Sequence, residues 1–175
     1  MSAMDSFIWL NDSASSYPKA PGVAHAMHTA LETFPSCSER SVIGSDIVRQ
    51  VLGPVVIECR DRLTALLGED DPTHMILTPG ATYGLNMAIW GLGLQLPQGA
   101  QIVTSVSEHN AVLRPLHHLQ KLRPDLHVTY IGLRAGELDV DAFDQALLQQ
   151  PTRLVALVHA SNVTGRVYDI APLLA

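Results

Sequence analysis

The second half of the chain alternates between short apolar runs and amphipathic helical patterns, and this alternation limits the fold more than any other feature. The apolar runs cover His74–Leu77, Ile102–Val106, Val128–Ile131 and Leu154–His159, and the helical patterns cover Tyr83–Gly93, Ala111–Leu122 and Val140–Leu148. Strands that alternate with helices pair in parallel through right-handed crossovers. The sequence therefore predicts an α/β protein with a mostly parallel sheet.

The first part of the chain predicts two helices separated by polar loops. Apolar residues recur at helical spacing over Val23–Phe34, where Pro35 ends the pattern. A longer pattern covers Asp46–Leu67, in which Pro54 should kink or split the helix. Gly68 is suited to end this second helix because glycine readily adopts the left-handed conformation of a C-cap.

The last residues have the pattern of a helix start. Asp169 is suited to cap a helix that begins at Ile170, and Pro172 fits its first turn. The chain stops at Ala175, about one turn into this pattern. We therefore expect a truncated or divided protein rather than a complete domain.

The composition excludes several classes of function. Of the 175 residues, 47% are hydrophobic and 16% are charged, so either both faces of the sheet are covered or some surface awaits a partner. The net charge of -6 provides no basic footprint for nucleic acid or an anionic membrane surface. Cys37 and Cys59 are far apart and indicate neither a disulfide framework nor a zinc site. The sequence has no signal-like start and no membrane-span-length run, so the expected location is cytoplasmic.

Three loops that follow predicted strands carry residues suited to ligand binding. In open parallel sheets, ligands bind at the carboxyl ends of the strands. The loop Thr78–Thr82 opens a helix, where unpaired backbone N–H groups and the helix dipole favour a phosphate. The loop Ser107–Asn110 offers the His109 imidazole, which can stack on a flat ring, and Ala160–Gly165 offers the Asn162 amide. Together they suit a phosphorylated heteroaromatic cofactor.

Each of these loops also has a purely structural interpretation. Thr78 or Thr82 can serve as a plain N-cap, and Asn110 can cap the helix that follows His109. Asn162 and Gly165 can simply form a turn.

The remaining histidines are predicted to have structural or surface positions. His159, at the end of an apolar run, is expected in the core, and His117 and His118 are expected at the surface. His25 and His28 share a helix face at a spacing that can hold a metal, but no third ligand is in view. No metal site is therefore predicted.

Four segments of the chain together resemble a known family. They read WLNDSASSYPKAPGV, LTPGATYGLNMAIWGL, SVSEHNAVLRPLHHL and TRLVALVHASNVTGRVYDI, in that order along the chain. In order and spacing they resemble the class V aminotransferases of pyridoxal phosphate fold type I, and the nearest branch is the cysteine desulfurase and selenocysteine lyase group. The resemblance covers the chain from about Phe7 to its last residue.

The resemblance implies a fold and a set of cofactor contacts. The fold is the three-layer large domain of that family, incomplete here, with residues 1–45 as a substrate-side N-terminal segment and 46–175 as the first part of the cofactor domain. Ala81 and Thr82 would hold the phosphate of pyridoxal 5'-phosphate. His109 would stack on its ring and Asn162 would hydrogen-bond near its phenolic oxygen.

The resemblance also implies substrate contacts and a partner. The pair Ser13 and Ala14, in the loop that matches the family's N-terminal substrate segment, would line the amino-acid site. Members of the family are usually homodimers, which also fits the apolar composition.

Several catalytic groups of the family are missing from the matched segment. Members continue to an Asp that pairs with the pyridinium nitrogen, a Schiff-base Lys, an Arg for the substrate carboxylate and, in desulfurases, a Cys on a mobile loop. These groups are expected beyond residue 175. Lys19 and Lys121 are the only lysines, and neither has the Schiff-base context. We therefore expect no catalytic residue in this segment and no turnover by this polypeptide alone.

Three functions remain open on the sequence. The first is the N-terminal part of a cysteine desulfurase, with a second chain or a longer parent providing the missing groups. The second is another reaction of the same family, such as transamination, epimerisation or a kynureninase-like hydrolysis. The third is a non-catalytic half-domain that binds or assembles with a partner.

Overall fold

In the computed structural model, the described residues are 16–33 and 53–173, and in the second range the side chains are described from residue 58. Ser13, Ala14, Cys37 and the predicted domain boundary after residue 45 lie outside these ranges and stay predictions. The chain divides into two compact units, Met1–Leu77 and Thr78–Ala175.

The described part of the first unit contains both predicted helices; the predicted start of the second, over residues 46–52, lies outside the described residues. Helix α1 covers Val23–Thr33 and helix α2 covers Gly53–Leu67. Pro54 lies in the first turn of α2, where a missing backbone N–H costs no hydrogen bond. Gly68 has a φ of 74°, and the N–H of Glu69 donates to the carbonyl of Thr64 at 3.0 Å. These contacts end α2 at the predicted glycine.

The strand predicted over His74–Leu77 is wrong. Pro72–His74 form a short 3-10 helix, and the next residues have no strand partner within the described part of the chain. The carboxylate of Asp71 accepts from the backbone N–H of Thr73 at 2.8 Å and from its hydroxyl at 2.7 Å. This local capping, which the apolar pattern did not reveal, stabilises the turn over Pro72–His74, and this turn includes the first residue of the predicted strand.

The second unit contains a parallel sheet. Strands β1, β2 and β5 cover Gln101–Ser105, His127–Ile131 and Thr152–Ala156, and their order in the sheet is β2-β1-β5. Strand β1 pairs in parallel with both neighbours. Helices α3, α4 and α5 cover Ala81–Gly93, Asn110–Leu122 and Val140–Gln149. The predicted α/β class and parallel pairing are confirmed.

A two-stranded antiparallel hairpin was not expected from the sequence. Strand β3 covers Leu133–Arg134, and strand β4 covers Glu137–Leu138. Ala135 and Gly136 connect them with φ values of 52° and 83°. A two-residue turn with both φ values positive matches the twist of a hairpin.

Strand β1 is buried throughout and separates two apolar clusters. One cluster joins Ile102 to Ile89 of α3 and to Leu116 and Leu119 of α4. The other joins Val103 to residues that include Phe143 of α5 and Tyr168. Because side chains alternate across a strand, neighbouring residues of β1 face opposite clusters. The second unit therefore has three layers, with helices on both sides of the sheet.

Helices α3 and α4 run in the same direction. Arg123, which follows α4, donates to the carbonyls of Leu94 and Leu96 after α3, at 3.2 and 3.0 Å. A Cβ added to Gly93, the last residue of α3, would lie 2.3 Å from a Leu119 methyl carbon. The C-terminal ends of the helices thus lie together. Because both helices have 13 residues, they also begin at the same edge of the unit, which is the carboxyl edge of β1.

The chain beyond β5 only partly forms the helix that was predicted there. Ala171–Leu173 make a short 3-10 helix, and the Asp169 carboxylate accepts from the N–H of Ala171 at 3.1 Å, as expected for a cap. Across residues 16–33 and 53–173, no helix combines the length and apolar character required to cross a membrane. The cytoplasmic location stays a prediction.

Candidate functional site

The first residues of α3 present backbone donors without a side-chain cap. Gly80 is the N-cap residue and makes no side-chain cap hydrogen bond. The Thr78 hydroxyl donates to the Gly80 carbonyl at 3.1 Å, so it does not cap the helix. The alternative of a plain Thr78 or Thr82 cap is therefore wrong. Ala81 and Thr82 are exposed, and a Cβ added at Gly80 would meet no atom within 4 Å. The helix opening is accessible to an anion.

His109 is the N-cap of α4. Its Nδ1 accepts from the backbone N–H of Ala111 at 3.1 Å, so the alternative of an Asn110 cap is wrong. This hydrogen bond fixes the ring and assigns the proton of the neutral imidazole to Nε2. The residue is exposed, so the ring remains accessible at the carboxyl edge of β1.

Asn162 lies in a tight turn beyond β5. The Ser161 hydroxyl accepts hydrogen bonds from the N–H groups of Val163 and Thr164, each at 3.3 Å. The backbone carbonyl of Ser161 accepts from the N–H of Gly165 at 2.9 Å. The predicted turn of Asn162 and Gly165 is thus present. Asn162 is exposed on this turn, which leaves its amide available to a ligand.

An ion pair supports the Asn162 turn from the hairpin. Arg166, just after the turn, donates from Nε to Glu137 Oε1 at 3.1 Å and makes a second bond to the same oxygen at 2.5 Å. The guanidinium lowers the pKa of the Glu137 carboxyl. The hairpin that the sequence did not reveal therefore holds one of the candidate ligand loops.

Glu108 is the residue of this site whose role the sequence reasoning missed. Its Oε1 accepts from the Ser105 hydroxyl at 2.8 Å and from the backbone N–H of Val158 at 2.5 Å. Burial raises the pKa of the Glu108 carboxyl, while these two hydrogen bonds act in the opposite direction. The only local signal was an acidic residue placed between a buried strand and a helix.

The other histidines differ in how well they follow the predictions. The expected core position of His159 is wrong: β5 ends at Ala156 and His159 is exposed beyond it. His117 and His118 are exposed, as predicted. His28 lies 3.4 Å from Glu32, and the described residues contain no group of three or more metal-ligating side chains.

The second unit brings three of the predicted elements to one edge. The start of α3 with Ala81 and Thr82, the start of α4 with His109, and the turn with Asn162 all follow or flank the carboxyl ends of β1 and β5. Lys121 lies in the last turn of α4, at the opposite edge.

Replacing Gly165 by Val is expected to disturb the Asn162 turn. Gly165 has a φ of 71°, where a β-branched residue is strained by about 1–2 kcal/mol. We expect loss of amide protection at residues 161–165 in hydrogen exchange, with β1 unaffected. Gly132→Val is the control, because a Cβ there meets nothing within 4 Å and its φ is not positive. Equal exchange in the two variants would contradict the assigned turn.

The family model described as Aminotransferase class-V matches residues 9–175. The chain belongs to this family. A cysteine desulfurase of Gluconacetobacter diazotrophicus is 31% identical over 96% of the chain, which covers 40% of that relative. The cysteine desulfurase IscS of Dictyoglomus turgidum is 36% identical over 66% of the chain and 29% of its own length. The chain thus spans less than half of these curated relatives.

Solved structures agree with the family assignment. The cysteine desulfurase CsdA of Escherichia coli is 28% identical, with a TM-score of 0.70 over 89% of this chain and 38% of that chain. A cysteine desulfurase of Thermococcus onnurineus NA1 has a TM-score of 0.81 over 97% of this chain and 40% of that chain. Its 24% identity shows the fold alone. The predicted fold type I architecture is confirmed.

Proposed function

We propose that this chain is the N-terminal part of a pyridoxal-phosphate-dependent cysteine desulfurase. The complete enzyme would release sulfur from L-cysteine and leave L-alanine. The observation that carries the proposal is the uncapped, accessible start of α3 at the same edge as His109 and the Asn162 turn. The desulfurase relatives in the comparisons support the choice of reaction.

The start of α3 suits the phosphate of the cofactor. The N–H groups of the first helical turn have no intrahelical acceptor, and the helix dipole favours a negative charge there. We assign phosphate binding to the backbone of Ala81 and Thr82 and to the Thr82 hydroxyl. A Cβ added at Gly80 would meet no atom within 4 Å, so nothing crowds the backbone there.

His109 and Asn162 suit the ring of the cofactor. The imidazole is held by its Nδ1, which accepts from the Ala111 N–H, and it can lie against a flat heteroaromatic ring. The Asn162 amide can donate to the phenolic oxygen of that ring. In the complete enzyme, Ser13 and Ala14 would contact the amino-acid substrate.

Bound pyridoxal phosphate supplies an electron sink for the carbanion of an amino acid. That chemistry needs a lysine and a carboxylate at the ring, and we assign neither role to a residue of this chain. The Lys19 amino group donates to the carbonyl and hydroxyl oxygens of Ser16, and Lys121 lies in the last turn of α4. This chain would therefore bind and orient the cofactor, and residues beyond it would complete the catalytic site.

Titration of the chain with pyridoxal phosphate tests this function. We expect saturable binding, and weaker binding of pyridoxal, which lacks the phosphate. Equal affinity for the two compounds, or no saturation, would contradict the proposed phosphate site.

The 175-residue chain alone is expected to release no sulfide or alanine from L-cysteine above the rate of free pyridoxal phosphate. Adding a polypeptide that carries the remaining family residues should restore turnover. Full activity of the chain without any addition would contradict this prediction.

A binding half-domain is the second candidate, and the apolar exterior of α3 favours it. Tyr83 and Met87, which are four residues apart and share one face of the helix, are 59% and 41% exposed, although the helix is mostly apolar. Such a surface is suited to a partner, either a second copy or a complementing C-terminal half. Transamination, epimerisation or hydrolysis by the complete enzyme remains a proposal of lower rank, because the groups that decide among these reactions lie outside the chain.

A further inference from the structure

Glu108 joins the ends of two neighbouring strands. One oxygen of its carboxylate accepts a hydrogen bond at 2.8 Å from the hydroxyl of Ser105, which is the last residue of β1. The same oxygen accepts from the N–H of Val158, two residues after β5, at 2.5 Å. Val158 lies 50 residues further along the chain, so this contact joins segments that the sequence separates widely.

The two segments that Glu108 joins each carry a residue of the proposed cofactor site. Glu108 directly precedes His109, whose ring is held against the first turn of α4 by the Ala111 N–H. Val158 leads into the turn that presents Asn162, through the paired positions Ala160 and Val167. Movement of the carboxylate would therefore move both segments.

The carboxylate occupies a position that is unfavourable for a charge. It is half-buried, and no cation among residues 16–33 and 53–173 forms an ion pair with it. Burial of an unpaired carboxylate costs free energy that only its hydrogen bonds offset. The hydrogen bonds from Ser105 and Val158 therefore determine where this side chain lies.

We propose that Glu108 is a positioning residue, which sets the separation between the His109 imidazole and the Asn162 turn so that a flat ring fits between them. The proposal rests on the cofactor site described under the proposed function. Glu108 itself does not contact the cofactor. It acts through His109 and through the chain that leaves β5.

The first test uses the unliganded chain and compares Glu108→Ala with Glu108→Gln. In Glu108→Ala, we expect the Val158 amide to exchange about tenfold faster, as for the loss of one hydrogen bond to a charged group, and the His109 imidazole NMR signals to shift. Glu108→Gln keeps an acceptor oxygen and should retain most of both properties. Glu58→Ala, which removes an exposed acidic side chain of α2, is the control and should change neither.

The second test measures the dissociation constant of pyridoxal phosphate. Glu108→Ala should raise it about tenfold in the wild-type background and by much less in a background that carries both His109→Ala and Asn162→Ala, because the effect passes through these two side chains. If Glu108 had a purely structural role, Glu108→Ala would lower the stability of the chain and raise the dissociation constant by the same factor in both backgrounds.

The outcomes separate this proposal from the proposed function. Unchanged His109 signals and unchanged Val158 exchange in Glu108→Ala would overturn the positioning role. If the wild-type chain binds no pyridoxal phosphate, the cofactor site is wrong, and the proposal that Glu108 serves it is overturned too. If the chain binds but Glu108→Ala weakens binding equally with and without the His109 and Asn162 side chains, the proposed coupling is wrong.

Discussion

Leu119→Ala is expected to lower the free energy of unfolding by about 2–5 kcal/mol, the usual cost of emptying a fully buried leucine site. Leu119 is 0% exposed and packs in the cluster that joins α3 and α4 to β1. Gly93→Ala should also destabilise, by about 1–3 kcal/mol, because its Cβ would lie 2.3 Å from a Leu119 methyl carbon in a packed core.

The pair of substitutions provides a sharper test than either alone. In Leu119→Ala the carbons that the new Cβ would meet are absent, so adding Gly93→Ala should cost little or even stabilise the helix. Gly91→Ala is the matched control on α3, since a Cβ there meets nothing within 4 Å, and it should stabilise by about 0.5–1 kcal/mol. Urea unfolding followed by circular dichroism measures all four. Additive effects would contradict the close approach of the two helices.

Thr82→Val and His109→Ala are each expected to weaken pyridoxal phosphate binding. Loss of a hydroxyl donor to a phosphate removes about 1.5–3 kcal/mol, which corresponds to a roughly 10- to 100-fold higher dissociation constant. Loss of the imidazole removes a stacking contact of about 0.5–1.5 kcal/mol and the cap of α4 as well.

Matched controls separate ligand contacts from loss of structure. Thr129→Val changes the same side chain within β2, and His117→Ala removes an exposed histidine from α4. Both should bind the cofactor as the wild-type chain does, in a titration followed by absorbance. If the control variants lose as much affinity as Thr82→Val and His109→Ala, the assigned contacts are wrong.

The sheet and its helices could be predicted because their signals are local. Helix α4 was expected over Ala111–Leu122 and covers Asn110–Leu122, and β1 differs from its predicted range by one residue at each end. The spacing of apolar residues and the polar residues at either end specify such a helix or strand, and all of these residues lie within a few positions of one another in the sequence. The three ligand loops could be predicted for the same reason, since each follows directly from the end of an apolar run.

Elements that depend on a particular turn or cap were missed. The run His74–Leu77 is as apolar as a strand, yet a 3-10 helix capped by Asp71 covers Pro72–His74, and the residues after it pair with no described strand. Ala135 adopts a positive φ that alanine rarely takes, so the hairpin of β3 and β4 had no sequence signal. The 3-10 helix involves a hydrogen bond from Thr73 to Asp71, and the hairpin involves the φ angle of Ala135; the apolar pattern reports on neither.

The amino-acid sequence by itself determined the α/β class, the parallel pairing of the strands and the residue types at the carboxyl edge, because periodicity and helix starts depend on residues that are neighbours in the chain. Only the tertiary structure decided that α3 begins without a side-chain cap, that His109 caps α4 and that Glu108 reaches Val158. Those facts depend on which atoms meet after folding. A hydrogen bond between a carboxylate and a residue 50 positions away does not change the spacing of apolar and polar residues near either partner, so the sequence gives no sign of it.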